Sequence, residues 1–316
     1  MSSTFSVQCG SLPPPLLFLQ DLEARLGWAS ISCPDFFEIE GKLGNRSKSW
    51  QQDYLYHFYR PFVSSRGIEV RLDLEECHVS ILPFSSRGDY ELAFELLREF
   101  LQYGGGSVRS SDGLTAANGS QLKEIFSQSW FDGFCYEALK EALAMLGERP
   151  GAVLTLSGPV RKFYLGSRLV ARLEQSLLLS PGAALMGGRE LRDFARALEE
   201  TMLDTQYALQ REAFAGYCES TIYQLRSQGA SGLSAAYCPA EQGVLVPLVD
   251  CLAFDGEKRG QLYLLPKEAI NERLLPLLLP GGDMHLLDEV QFLLSPLKDS
   301  RYRQVLEALA PVLSLT

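Results

Sequence analysis

The stretch that decides the fold is IEVRLDLEECHVSIL, residues 68–82. Its first half alternates apolar Ile68, Val70 and Leu72 with charged residues, which is the period of a half-buried β-strand. Its second half alternates in the same way from Cys77 to Ile81, as a returning strand does. The sequence therefore predicts a β-hairpin with one face in a core and the other exposed.

A helix is predicted to follow this hairpin after Pro83. Asp89 is a residue type that caps helix N-termini, and Gly104-Gly105-Gly106 is a stop signal. Between them the apolar residues recur at helical spacing, at Ala93, Leu96, Leu97, Phe100 and Leu101. We expect the helix to cover the hairpin and to share one core with it, formed by Leu72, Val79, Leu97 and Phe100.

The same order, a hairpin and then a helix, occurs about three times along the 316 residues. Later hairpins are predicted between residues 153 and 173 and between 244 and 265. The predicted fold class is α+β, with antiparallel β-hairpins covered by helices. Turn-forming residues 148–151 predict a boundary between an N-terminal α+β lobe, 1–149, and a C-terminal α+β lobe, 150–316. One continuous domain is the alternative.

Three further helices are predicted from the spacing of apolar residues. The first runs from Ser120 to Trp130, and the second from about Phe134 to Leu146. The third and longest runs from Glu190 to Phe214, with one apolar stripe along it.

Composition and charge indicate which partners and which cellular compartment to expect. The chain has 29 Lys and Arg against 39 Asp and Glu, a net charge of −10, whereas nucleic-acid binding needs clustered cations. No apolar run approaches the ~18–20 residues of a membrane span, and no secretory signal is recognised. Seven scattered cysteines without a C-x-x-C pair predict free thiols. We therefore expect a cytoplasmic, bacterial protein that binds neither nucleic acid nor membranes, and we leave its oligomeric state open.

No catalytic or phosphate-binding motif occurs in the sequence, so no catalytic, cofactor-binding or metal-binding residue is predicted. A Cys–His pair of Cys77 or Cys251 with His57 is the weakest candidate. A second candidate rests on i, i+3, i+4 spacing, which would place a histidine and two carboxylates on one helical face. The favoured interpretation of this spacing is a solvated or capping cluster, made of His285, Asp288 and Glu289.

Carboxylates on the predicted late helix form the third candidate. Glu200 and Asp204 are four residues apart, and Glu199 precedes them. Arg196 can pair with Glu199 and Glu200, which favours an exposed, salt-bridged face. The functional alternative is a polar surface for a partner or a small substrate.

The clearest charge feature is an acidic face in residues 68–103. This segment has eight acids and three arginines, a net of −5 and half the total for the chain. Strand alternation places its strand acids opposite the core, at Glu69, Asp73, Glu75 and Glu76. Helical i, i+4, i+8 spacing predicts an exposed stripe of Glu91, Glu95 and Glu99. We expect these seven residues, with Glu199, Glu200 and Asp204, to face a protein partner.

The order of short landmarks resembles a poorly characterised bacterial cytosolic protein family of similar length. The matching segments are Arg66–Val70, Asp112-Gly113, Gln206-Tyr207 and Gly260–Pro266. This resemblance implies no catalytic residues.

A second resemblance is one of protein type and not of sequence. An acidic α+β protein without catalytic motifs resembles the immunity proteins that block antibacterial toxins. The resemblance implies inhibition of a toxin domain with a basic cleft, steered by the acidic surface. The alternatives are a hydrolase or transferase that uses the carboxylates of the late helix, and an adaptor or scaffold protein.

Overall fold

The computed structural model of the chain describes residues 2–8, 10, 12–26, 50, 55–73, 76–104, 106–225, 232–256 and 261–315. The protein has an α+β fold in which helices cover mainly antiparallel sheets. It divides into two compact units, residues 1–206 and residues 207–316. The division falls at 206/207, whereas the sequence placed a boundary at 149/150. Helices on both sides of residue 150 share one hydrophobic cluster within the first unit.

A six-stranded antiparallel sheet forms the framework of the first unit. Its strands are β1 (Ser3–Gln8), β2 (Leu55–Phe58), β3 (Ile68–Leu72), β4 (Glu76–Ile81), β5 (Val108–Ser110) and β6 (Thr115–Ala116). Their order in the sheet is β2-β3-β4-β1-β5-β6. The predicted hairpin is β3–β4, with Val70 opposite Val79. Apolar positions are buried along both strands, so the expected alternation is confirmed.

The described residues of this unit also form six α-helices. They are α1 (Pro15–Leu26), α2 (Arg87–Gly104), α3 (Gly119–Ile125), α4 (Gln128–Glu148), α5 (Ser167–Ser176) and α6 (Gly188–Gln206). The second hairpin, β7 (Val153–Leu156) and β8 (Phe163–Gly166), comes directly before α5. The predicted break between Trp130 and Phe134 is wrong, because α4 runs unbroken through both residues. The predicted late helix ends at Gln206 and is shorter than α4.

Two hydrophobic clusters hold the first unit together. The first packs α2 against the six-stranded sheet and contains Leu72, Val79, Leu97 and Phe100, all at most 5% exposed. The expected shared core is therefore confirmed. The second cluster joins α4, α5, α6 and the β7–β8 hairpin, with Phe163 and Phe194 fully buried.

Helix α2 begins two residues before Asp89, and Ser86 caps it. The Oγ atom of Ser86 accepts a hydrogen bond from the Asp89 N–H at 3.1 Å, and the Asp89 carboxylate accepts one from the Ser86 N–H at 3.0 Å. This reciprocal arrangement is a capping box. Asp89 therefore closes the box from inside the helix and is not the cap residue itself.

In the second unit the described residues form nine short strands. Their bounds are Cys218–Glu219 (β9), Ile222–Leu225 (β10), Leu233–Cys238 (β11), Val244–Val246 (β12), Cys251–Asp255 (β13), Leu262–Pro266 (β14), Met284–Leu286 (β15), Phe292–Leu294 (β16) and Ser314–Leu315 (β17). They form sheets of order β10-β11-β13-β14-β17 and β15-β16-β12-β9. The β11–β13 and β12–β9 pairs are parallel. These two pairs depart from the all-antiparallel expectation.

Short helices accompany these sheets. Helix α7 (Lys267–Ala269) continues through a π-helical turn, Ile270–Leu274, into α8 (Leu275–Leu278). Helix α9 spans Asp299–Leu309. Because α7 directly follows the β13–β14 hairpin, the order of a hairpin and then a helix occurs at the three places that the sequence predicted. The β5–β6 and β15–β16 hairpins are also each followed by a helix.

One cysteine contradicts the expectation of free thiols. Cys77 is disulfide-bonded, whereas Cys135, Cys218, Cys238 and Cys251 are free. Cys9 and Cys33 lie outside the described residues.

The disulfide changes the expected thiol count. Because one disulfide removes two thiols, titration of the denatured, unreduced protein is expected to find five of the seven cysteines reactive. Disulfides are rare in a reducing cytosol. A count of five in freshly purified protein would therefore argue against a cytoplasmic compartment, and a count of seven would contradict the disulfide.

Candidate functional site

The strand acids of the predicted acidic face are largely paired within the first unit. The Asp73 carboxylate lies 3.0 Å from Nε2 of His78 and 3.6 Å from Nε of Arg71. Glu76 lies 3.7 Å from Arg109. Glu69 is half-buried. The fourth strand acid, Glu75, lies outside the described residues.

The helical acids do not form the exposed stripe that their spacing predicts. Glu91 is exposed, but its carboxylate lies 3.4 Å from Nε of Arg87. Glu95 is mostly covered and pairs with Arg98. Glu99 is only 2% exposed, so the expected exposure is wrong at this position. The physical reason is that α2 contacts the sheet and also α3, so that more than one of its faces is covered.

The three carboxylates of α6 do not converge on a common site. Glu199 accepts a hydrogen bond from the backbone N–H of Arg87 at 3.0 Å, and burial raises its pKa. Glu200 pairs with Arg196 at 3.1 Å on the exposed side of the helix. Asp204 is exposed. Glu199 lines a cavity that α4 and α6 form together with the segment before α2, and Glu200 and Asp204 do not line this cavity.

The Cys77–His57 pair and the cluster of His285, Asp288 and Glu289 lack the required geometry. Cys77 is disulfide-bonded and therefore has no free thiol. Nε2 of His57 is hydrogen-bonded to the backbone carbonyl of Arg66 at 2.7 Å. His285 lies in strand β15 and not on a helix. Asp288 is fully buried, and its Oδ1 accepts a backbone hydrogen bond from Gln291 at 2.7 Å. The described residues contain no group of three potential metal ligands.

Cys135, a thiol that the sequence did not single out, lines the cavity beside Glu199. Burial raises its pKa to about 12, with smaller contributions from neighbouring carboxylates. Nucleophilic cysteines work as thiolates and have lowered pKa values. The surroundings of Cys135 therefore favour an inert thiol.

Helix α4 separates two concave surfaces. The cavity beside Cys135 lies on one side of the helix, and an open groove of about 880 Å³ lies on the other. We call this second surface the acidic groove. Its lining residues come from the start of β1, the turn between β5 and β6, and one face of α4. They are Ser2, Ser3, Ser111, Asp112, Ser129, Trp130, Gly133, Phe134, Glu137, Ala138 and Glu141.

Two stacked aromatic rings form the floor of the acidic groove. The ring centroids of Trp130 and Phe134 are 5.5 Å apart, and the ring planes differ by 3°. Gly133 also lines the groove without a side chain, and the space where its Cβ would be is open, with nothing within 4 Å. Both aromatic side chains are half-buried, so part of each ring stays accessible.

Three carboxylates line this floor. Glu137 is exposed and lies 3.2 Å from Nζ of Lys140. Asp112 and Glu141 are also exposed, and neither makes an ion pair within the part of the chain that the structure describes. Among the described lining residues no side chain is cationic. The groove therefore combines aromatic faces with uncompensated negative charge, which is the chemistry that binds Lys and Arg side chains.

A buried hydroxyl lies at the base of the groove. Ser3 is 4% exposed, and its Oγ has no hydrogen-bond partner among the described residues. A buried polar atom without a partner is costly. A hydrogen-bonding group of a bound molecule that reached this depth would satisfy it.

Comparison with known proteins gives no further assignment. No protein-family model matches the chain, and neither a curated protein nor a solved structure matches it significantly. Among the described residues, no helix has the length and apolar character needed to cross a membrane.

Proposed function

We propose that the protein binds a cationic segment of a partner protein in the acidic groove and thereby inhibits that partner. The observation that supports this proposal best is the stacked Trp130–Phe134 floor with three carboxylates around it. A desolvated cation over an aromatic face gains ~2 kcal/mol or more, and nearby carboxylates add directional hydrogen bonds.

The length of the groove favours a peptide segment over a small cation. Its α4 lining extends from Ser129 to Glu141, which are twelve positions apart, or about 18 Å at 1.5 Å per residue. An extended chain covers that distance with about five residues. A single organic cation would fill only part of it.

Inhibition follows if the captured segment belongs to a functional cleft of the partner. Toxins that act on nucleotides or nucleic acids need basic clefts, because their substrates are anionic. An acidic protein steers association with such a cleft and competes with the substrate for it. A toxin domain with a basic cleft is therefore the partner class to be tested first.

Reversal of two groove charges tests the binding step. We expect wild-type protein to bind a fluorescein-labelled pentapeptide of arginine and lysine at low salt, as measured by fluorescence anisotropy. Glu137→Lys/Glu141→Lys should weaken binding at least tenfold, because it replaces attraction by repulsion beside the aromatic floor. The matched control, Glu124→Lys/Glu148→Lys, changes the net charge equally at exposed positions outside the groove. It should keep more than half of the affinity.

Two further comparisons make this result decisive. An acidic pentapeptide should not bind, and free arginine should bind far more weakly than the basic peptide. Equal binding by the two double variants would show that only net charge matters and would remove the groove from the proposal.

The inhibitory step needs the partner itself. Basic proteins captured by the wild type and the control, but not by the groove variant, should be co-expressed with each form. Wild-type protein should restore growth to cells that express a toxic partner, and the groove variant should not. Rescue by the groove variant would contradict the proposal.

A further inference from the structure

The second concave surface beside α4 is a small cavity with a largely apolar lining. It has a volume of about 190 Å³ and lies between α4, α6 and the segment that precedes α2. Its apolar lining includes Phe84, Phe131, Leu139, Leu198 and Met202. Apolar cavities of about 150 Å³ hold a benzene molecule. The volume therefore suits one aromatic ring with a short substituent.

Two carboxylates at the cavity have no cationic partner within the described residues. Oε1 of Glu199 accepts a hydrogen bond from the backbone N–H of Arg87 at 3.0 Å. Oδ1 of Asp132 accepts one from the side-chain amide of Gln128 at 2.6 Å. Both donors are neutral groups, so neither negative charge is compensated by its hydrogen bond.

Three arginines are among the lining residues, and two of them are paired with other carboxylates. Arg87 lies 3.4 Å from Glu91, and Arg196 lies 3.1 Å from Glu200. Arg192 makes no ion pair within the part of the chain that the structure describes. Two uncompensated carboxylates against one guanidinium leave an excess of one negative charge at the cavity. A cationic ligand would compensate this charge.

Two lining side chains show the sign of the charge around them. Burial raises the pKa of Cys135 to about 12, and the charges that add to this rise are all carboxylates, with Glu199 and Asp132 first. Burial also raises the pKa of Tyr136, and there the added effect of Asp132 is larger than the opposing effect of Arg192. Arg192 is seven positions before Glu199 on α6, or about 10.5 Å along the helix axis. The surroundings of Glu199 are therefore negative.

A buried hydroxyl near Glu199 lacks a hydrogen-bond partner. Ser85 lines the cavity and is 5% exposed, yet its Oγ has no partner among the described residues. Its carbonyl oxygen is 3.9 Å from Sγ of Cys135, and it precedes Arg87, whose N–H binds Glu199, by two residues. An unpartnered buried hydroxyl is costly. A ligand group that reached Glu199 would also be within reach of this hydroxyl.

We propose that this cavity binds a small aromatic monoamine in its ammonium form, with the ammonium at Glu199 and the ring against the apolar lining. An ammonium has three N–H donors, enough for the Glu199 carboxylate and the Ser85 hydroxyl together. The ring would lie among Phe84, Phe131 and Leu139. The site is on the opposite side of α4 from the acidic groove, and the proposal does not depend on the function assigned to the groove.

Phenylethylammonium is the probe that tests this site. In ligand-observed NMR titration, wild-type protein should bind it with a Kd on the order of 1 mM, which is typical for about nine non-hydrogen atoms. Phenylacetate has a similar size and the opposite charge, and it should bind at least tenfold more weakly. Ethylammonium has the charge without the ring, and it should also bind at least tenfold more weakly. Equal binding of the two aromatic ions would overturn the assignment of charge.

Substitutions on α6 test the role of Glu199. Glu199→Gln keeps an acceptor for the Arg87 N–H but removes the charge, and it should weaken binding of the amine at least tenfold. The matched control, Asp193→Asn, removes an exposed carboxylate of the same helix outside the cavity and should change binding less than twofold. Arg192→Gln removes the opposing cation and should leave binding unchanged or strengthen it.

Two further comparisons locate the binding. Ala195→Phe should abolish it by filling the cavity, with thermal melting recorded to show that the variant is folded. The groove variant Glu137→Lys/Glu141→Lys should bind the amine as tightly as its charge control, Glu124→Lys/Glu148→Lys. These four glutamates do not line the cavity, and the two variants have the same net charge.

The proposal is overturned by any of four results. One is absence of binding at about 10 mM phenylethylammonium, ten times the expected Kd. Another is an equal effect of Glu199→Gln and Asp193→Asn. The third is unchanged binding by a folded Ala195→Phe protein. The fourth is weaker binding by the groove variant than by its charge control, which would place the amine in the groove. None of these results contradicts the binding of basic peptides in the acidic groove.

Discussion

Replacement of Asp89 by alanine is expected to lower the free energy of unfolding by about 3–5 kcal/mol, because it leaves several buried donors without an acceptor. The Asp89 carboxylate is fully buried. It accepts hydrogen bonds at 2.9–3.2 Å from one hydroxyl and four backbone N–H groups, which are the Ser65 Oγ–H and the N–H groups of Ser65, Arg66, Gly67 and Ser86. One side chain thus fixes the turn before β3 to the start of α2.

The charge of Asp89 adds to this effect through Arg66. The Arg66 side chain is 7% exposed, and burial lowers its pKa to about 10, although Asp89 and Glu69 oppose the shift. Without Asp89, a buried guanidinium loses one of its two stabilising carboxylates. Removal of one partner from a buried pair of charges typically costs 3–5 kcal/mol.

Chemical denaturation measures the loss, and two other substitutions calibrate it. Asp193→Ala removes an exposed carboxylate paired with Arg189 and should cost less than ~1 kcal/mol. Asp89→Asn keeps the shape but turns an amide N–H₂ toward the donors, so it should remain costly. A loss below ~1 kcal/mol for Asp89→Ala would contradict the bonding that the structure assigns to this carboxylate.

Local periodicity was sufficient to predict the hairpin, the helix that covers it and their shared core. The alternation from Ile68 to Ile81 and the spacing of Leu97 and Phe100 are properties of neighbouring residues, and the fold obeys them. The role of Asp89 could not be predicted, because three of its four donor residues are 22–24 residues earlier in the chain. Capping preference suggested a helix start but not its tertiary contacts.

The two concave surfaces were missed for a different reason. The sequence predicted two helices, one ending at Trp130 and the other beginning at about Phe134, and that break hid the common face of Trp130, Phe134 and Glu141. The cavity needs three segments, around residues 84–87, 128–139 and 192–202, which come together only in the folded chain. The sequence did identify Glu199 and Arg196 of α6, but not the cavity that Glu199 lines and Glu200 does not.

Spacing alone also could not tell which acids of α2 stay in solvent. Residues 91, 95 and 99 share one helical side, and the sequence predicted that all three are exposed. Half of the Glu91 side chain is exposed, but only 15% of that of Glu95 and 3% of that of Glu99. The covering of a helix depends on its neighbours in space, and α3 packs beside α2.

Glu99→Lys is therefore expected to destabilise the protein by about 3–5 kcal/mol, whereas Glu91→Lys should cost less than ~1 kcal/mol. The first change puts a cation into a buried position where Nε of Arg98 is 4.0 Å from Oε1 of Glu99. The second changes an exposed pair whose contribution is screened by solvent. Urea denaturation of the two single variants, side by side, measures the difference. Equal and small losses would mean that Glu99 is accessible and still available to a partner. A large loss at Glu99 alone would show that this carboxylate stabilises the fold. Among the acids of α2, Glu91 would then have the most solvent-exposed charge available for steering a partner.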